Sequence, residues 1–224
     1  MIEKNPQKFI KFWNDERDLL TESNREGFRA IDVGPVTLGY RLANTRAGFD
    51  IPRRLIYPKG GYILHMIRMM MWDAKEGDKP FQAAMKDFVT TYANCPATTE
   101  EFKALLEKHM TPAMNLEQNG KLDWFFNEFV YGTALPKYSA EGTFRDGAPG
   151  TKILHLKVTQ ANVDAGFKML VPLYLMLADN RIIRLGHMML AGNMTHEQDI
   201  PLQIKDTPKA VLVNYYDDIL AGKN

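Results

Sequence analysis

Cysteine is almost missing from this chain. Cys95 stands alone among 224 residues, so no internal disulfide can form and nothing demands an oxidising compartment. Beside Pro96, at the end of an expected helix, it reads as a passive thiol with no histidine placed to activate it. Neither sign of charge dominates: 28 Lys and Arg face 27 Asp and Glu, a formal +1, so nucleic acid and acidic membrane surfaces are not indicated as partners. No apolar run is long enough to span a bilayer; the most apolar window, residues 62–72, is too short and carries Arg68. The opening Met1-Ile2-Glu3-Lys4-Asn5-Pro6 lacks the basic head and apolar stretch of an export signal, which leaves cellular location unassigned. Histidine is sparse and scattered, at 65, 109, 155, 187 and 196, and no two share a metal-ligand spacing. His196-Glu197-Gln198-Asp199 lacks the second histidine of a zinc-peptidase helix. Phosphate-cradling, dinucleotide-binding and serine-nucleophile motifs are absent too.

What is present is an ordinary globular composition, 45% apolar and 25% charged, long enough for one large or two small domains. The chain is organised around residues 57–72. Pro58 predicts a helix start, because its missing N–H costs nothing in a first turn. Tyr57, preceding a proline, is then expected just outside that start, its phenol at the positive end of the helix dipole. From Tyr62 onward the run is apolar nearly all round, which predicts a buried helix rather than an amphipathic one. His65 and Arg68 share one face at i, i+3 and read as a satisfied buried polar pair. Asp32 and Arg41, upstream, read as members of surface ion pairs.

Helical signals fill the first part of the chain. Asn5-Pro6 caps a helix to about Glu26, with Gly27 as its stop and Phe9, Phe12 and Trp13 on its apolar side. An irregular connection, residues 28–50, follows. Beyond the central helix come helices over about 80–94, 98–109 (opened by a Thr98/Glu101 capping box) and 122–130, whose Trp124, Phe125, Phe126 and Phe129 read as core. Glu100/Glu101 reads as helix-start charge, and Asp217/Asp218 as a solvated C-terminal turn. After Gly132-Thr133-Ala134-Leu135-Pro136 the period changes to two. Strands are expected over 151–160, 168–177, 181–190, 200–204 and 210–215, separated by turn signals such as Asp146-Gly147 and Gly192-Asn193. The fold class is therefore α+β and multidomain: an N-terminal α-helical bundle, residues 1–135, followed by an antiparallel, Ig-like β-sandwich, residues 136–224.

The order of the motifs carries a resemblance. Tyr57-Pro58-Lys59-Gly60-Gly61, with Leu64-His65-Met66-Ile67-Arg68 behind it, resembles the Tyr-x-Lys-Gly helix of the zinc aminopeptidases related to aminopeptidase N. Asp32-Val33-Gly34-Pro35-Val36-Thr37-Leu38-Gly39-Tyr40-Arg41-Leu42 is similar to the segment leading into that helix in bacterial members. Thr99-Glu100-Glu101-Phe102, the Trp124-to-Gly132 stretch and Leu135-Pro136-Lys137-Tyr138 follow in the family's order, with a β module after them. The resemblance implies that Tyr57 is a catalytic residue donating a hydrogen bond to the tetrahedral oxyanion of peptide hydrolysis. It also implies zinc in the complete enzyme, held by a His-Glu-x-x-His and a later Glu that would lie upstream of this sequence. No zinc site or other cofactor is expected from this chain itself.

The expected function is thus a C-terminal peptidase fragment, the end of a catalytic domain plus a sandwich, inactive alone for want of an activated water. Its partner would be the missing N-terminal half, and a peptide substrate enters only with the complete enzyme. The alternative is a non-catalytic protein-binding or self-associating module, using apolar surface left bare around Phe9, Phe12, Trp13 and the Met66-to-Met71 cluster. A sugar-binding sandwich has fold analogy alone behind it.

Overall fold

The structure, a computed structural model, describes residues 5–43 and 45–223; the first four residues of the opening read above, and Asn44, lie outside it. The chain divides into two compact units. One is Glu22–Thr133; the other joins the segment ending at Thr21 to everything from Ala134 onward.

The helical unit contains α2 (Ala30–Val33), a 3-10 segment (Val36–Leu42), α3 (Ile51–Arg54), a wide π turn (Leu55–Lys59), α4 (Gly60–Met71), α5 (Lys79–Thr91), α6 (Thr99–Lys108), α7 (Asp123–Phe125) and a second π turn (Phe126–Val130). Helix α4 is enclosed as its apolar run requires, with Tyr62, Met66 and Ile67 wholly buried. The aromatic stripe is core: Trp124, Phe125, Phe126 and Phe129 are all buried, and the Trp124 indole donates to the Met114 carbonyl at 3.1 Å. Helix α6 opens on the expected capping box. The Glu101 N–H donates to Thr98 Oγ1 at 3.2 Å, and the Thr98 N–H to Glu101 Oε2 at 2.7 Å.

In the other unit, α1 (Pro6–Thr21) begins at Asn5, whose side chain accepts from the Lys8 N–H at 3.0 Å. It stops well before Gly27. Past its end, in the helical unit, Asn24 Oδ1 accepts from the Glu26 and Phe28 N–H groups and winds a turn in which Gly27, at φ +85°, is the left-handed residue. Six strands follow: β1 (Lys137–Asp146), β2 (Thr151–Ala161), β3 (Lys168–Leu177), β4 (Ile182–Ala191), β5 (Met194–Gln203) and β6 (Pro208–Val213). They form two antiparallel three-stranded sheets, ordered β1-β2-β5 and β4-β3-β6. The fold is therefore a mixture of helices and antiparallel sheet.

Strand β1 is not revealed by the period-two pattern, and β5 begins at Met194, six residues before the expected 200–204. Strand β1 is an edge strand with only Tyr138 fully buried, so charged and small residues fill most of its positions. Strand β3 reads as a nearly unbroken apolar run because it is the middle strand of its sheet, buried over most of its length. Pro172 is tolerated there because β6 pairing begins only at Leu173, beside a bulge at Leu173/Tyr174. Its carbonyl still accepts from the Asn214 N–H at 3.0 Å.

Candidate functional site

The central helix does not start at Pro58. It runs on from Ile51, with Pro52 taking the first-turn position expected of Pro58, and widens at Leu55–Lys59, where the Gly60 N–H donates back five residues to the Leu55 carbonyl. The wide turn absorbs Pro58, whose ring and missing N–H would break a regular α turn. Tyr57 consequently lies more than a turn inside the helix, not outside its start. The positive dipole end falls near Ile51, so the helix dipole does not assist this phenol.

What the turn does provide is a presented phenol on a fixed base. Tyr57 is 64% exposed, while Leu55, Pro58 and Lys59 of the same turn are buried. The 3-10 segment rests on this turn: a Cβ at Gly39, which sits at φ +47°, would lie 3.6 Å from Ile56 Cδ1. Tyr40, next to Gly39, and Phe49 are exposed as well, at 68% and 71%.

Lys59 is the residue that sequence reasoning passed over. Its side chain has no exposed surface, and its ammonium donates to the Gly132 carbonyl at 2.7 Å. Burial pushes its pKa down to about 8. Gly132 lies two residues past the second wide turn, which the Tyr131 N–H closes by donating to the Phe126 carbonyl at 2.8 Å. A Cβ at Gly132 would stand 2.5 Å from the Asn127 carbonyl oxygen, so glycine is required there. The lysine within the Tyr57-Pro58-Lys59-Gly60 motif was the available signal, since a lysine in an otherwise apolar stretch asks where its charge goes.

Arg68 finds its partner in Asp78, not in His65. Its Nε donates to Asp78 Oδ1 at 2.8 Å, and this bond chiefly holds the Asp78 carboxyl below the usual range. His65 is buried, edge-on to Tyr62 with ring centres 6.3 Å apart. Asp32 forms its surface pair with Arg29 at 2.6 Å, whereas Arg41 donates to the Thr37 carbonyl. Cys95 is exposed beyond the end of α5.

Two further expectations fail. The Met66-to-Met71 cluster is not an exposed patch, since Met66, Met69, Met70 and Met71 are buried, and so is Phe9; Phe12 alone of the residues named there is about half exposed. Nor is Asp217/Asp218 a solvated turn. Both carboxylates are buried, because Ile219-Leu220-Ala221 after them belong to the core of their unit, while Tyr215-Tyr216 before them are half-buried. Asp217 accepts from Arg17 at 2.8 Å. Asp218 accepts from Arg184 at 2.9 Å and from the Tyr174 hydroxyl, whose ionisation is driven far up by burial. Beside them opens a cavity of about 370 Å³ lined by Arg17, Tyr138, Asn214, Asp217, Gly222 and Lys223. Burial, with the neighbouring Asp218 charge, pushes the Asp217 carboxyl up to about 6 against the pull of Arg17.

No protein-family model matches this sequence, and no curated protein does either.

The zinc that the aminopeptidase resemblance implies has no set of ligands here. Among the described residues no three His, Cys, Asp or Glu side chains come together to hold an ion, and the closest approaches are pairs, His109 with Asp87 and His155 with Asp199. These residues alone do not fit the metal. Among them, too, no helix is long and apolar enough to cross a membrane.

Proposed function

We propose that this chain is the C-terminal portion of an aminopeptidase N-like zinc peptidase, inactive by itself, in which Tyr57 donates to the substrate oxyanion once the zinc-bearing half is supplied. One observation carries the reading: the phenol stands exposed on a wide turn whose neighbouring side chains are buried, so a rigid base offers an O–H donor outward. An oxyanion donor must be held before the charge develops, and a helix built into a core does that better than a loop. The motif order read from the sequence supports the same assignment. The two three-stranded sheets would be the family's sandwich. A Cβ at Gly142 of β1 would meet Val211 of β6 at 2.7 Å, so strands of different sheets come into contact there.

The test is complementation. The chain is assayed on an aminoacyl anilide alone, with zinc, and with a separately expressed zinc-binding half from an aminopeptidase of that family. Turnover is expected only in the mixture. Zinc-dependent turnover by this chain alone, or none in a mixture shown to associate, contradicts the proposal.

A second reading, a non-catalytic binding or self-associating module, is favoured by the exposed rings of Tyr40 and Phe49. Light scattering separates the two: a concentration-dependent rise in mass supports association, and a monodisperse monomer counts against it.

A further inference from the structure

We propose that Lys59 is the positioning residue of the Tyr57 turn, and that its bond to the Gly132 carbonyl ties the two wide turns of the helical unit together. The inference deepens the peptidase reading and rests on it for the role of Tyr57. The tie itself stands on geometry. An ammonium with no exposed surface is costly to bury and is retained only where a strong acceptor meets it, as the Gly132 carbonyl does at 2.7 Å. The acceptor is equally constrained, because no side chain fits at Gly132. The tie also falls where it has most effect. At Pro58 the helix lacks a donor and its ladder has widened, so the turn carrying Tyr57 is the least self-supporting part of the run from Ile51 to Met71. Two residues apart on one turn, Tyr57 and Lys59 point to opposite sides. The lysine holds the backbone from within while the phenol faces out. Methionine would fill the same slot without the desolvation cost, but it would leave the Gly132 carbonyl without this donor and the turn untethered.

The experiment uses the full chain. With 15N-labelled lysine, the Lys59 ammonium protons should be visible at neutral pH, shielded from exchange and assigned by their loss in Lys59→Met. With 13C-ring-labelled tyrosine, the Tyr57 resonance, assigned through Tyr57→Phe, should shift and broaden in Lys59→Met and in Lys59→Gln, while Tyr92, at the C-terminal cap of α5, keeps its position. In the complemented enzyme Lys59→Met should lower kcat roughly ten- to a hundredfold with KM little changed, the mark of a displaced rather than a deleted donor. An unobservable Lys59 ammonium, or a Tyr57 resonance unmoved in a folded variant, overturns the proposal, as does an unchanged kcat. If the Tyr57 resonance moves but no complemented pair ever turns over, the tie stands and the peptidase reading falls.

Discussion

Asp217 and Asp218 are consecutive residues that bind arginines from two different elements of their unit. Asp217 takes Arg17 of α1 at 2.8 Å, and Asp218 takes Arg184 of β4 at 2.9 Å. The pair clamps the last described segment onto the first helix and onto the β4-β3-β6 sheet at once.

Breaking one arm should be expensive. Asp218→Ala leaves Arg184 and the Tyr174 hydroxyl without their shared acceptor in a buried site. A loss of about 3–5 kcal/mol is expected in urea unfolding followed by a signal from this unit. Removing the whole network, with Arg184→Met, Tyr174→Phe and Asp218→Leu together, should restore most of that loss.

The other arm is pH-sensitive. The Asp217 carboxyl is raised to about 6 from an ordinary value near 4, so the folded state holds its proton more tightly than the unfolded one. Its contribution is complete below the unfolded pKa and is lost as pH rises through about 6. The stability difference between wild type and Asp217→Asn, measured from pH 4 to 7.5, should show that fall. A flat difference contradicts the assignment.

Lys59 has the opposite linkage. Its pKa is lowered to about 8, so the unfolded chain binds the extra proton between there and the ordinary lysine range. Stability of the helical unit should therefore rise with pH above about 8. The full gain is on the order of 2–4 kcal/mol, and only the part below pH 9.5, before other lysines and tyrosines titrate, is cleanly measurable. Lys59→Met should abolish the slope.

Gly132→Ala should destabilise the same unit by about 3 kcal/mol, because the new methyl group meets the Asn127 and Glu128 carbonyl oxygens at 2.5 and 2.6 Å. Denaturant midpoints read against Gly60→Ala make the comparison, since a Cβ at Gly60 meets nothing within 4 Å.

Local chemistry was legible wherever it decided the outcome locally. Thr98 and Glu101 announce their capping box, and Leu156 and Val158 alternate into one face of β2, where Leu154 rather than Ile153 joins them. What could not be read was set by contacts distant in sequence. The helix passes through Pro58 because a wide turn absorbs it, and Lys59 is buried because a carbonyl 73 residues later accepts its charge. Asp217 and Asp218 look like a solvated turn until Arg17 and Arg184 are seen beside them. Strand β1 lies at an edge, where the alternation that marks β2 has little to bury. For the candidate site, the sequence pointed to Tyr57 but placed it at a helix start, whereas the helix begins at Ile51, more than a turn upstream.

The proposed peptidase role rests on the Tyr57 hydroxyl, and kcat of the complemented enzyme with Tyr57→Phe tests it most directly. Removing one oxyanion donor should lower kcat by roughly 10²–10³-fold with KM nearly unchanged. A variant that turns over at the wild-type rate contradicts the account.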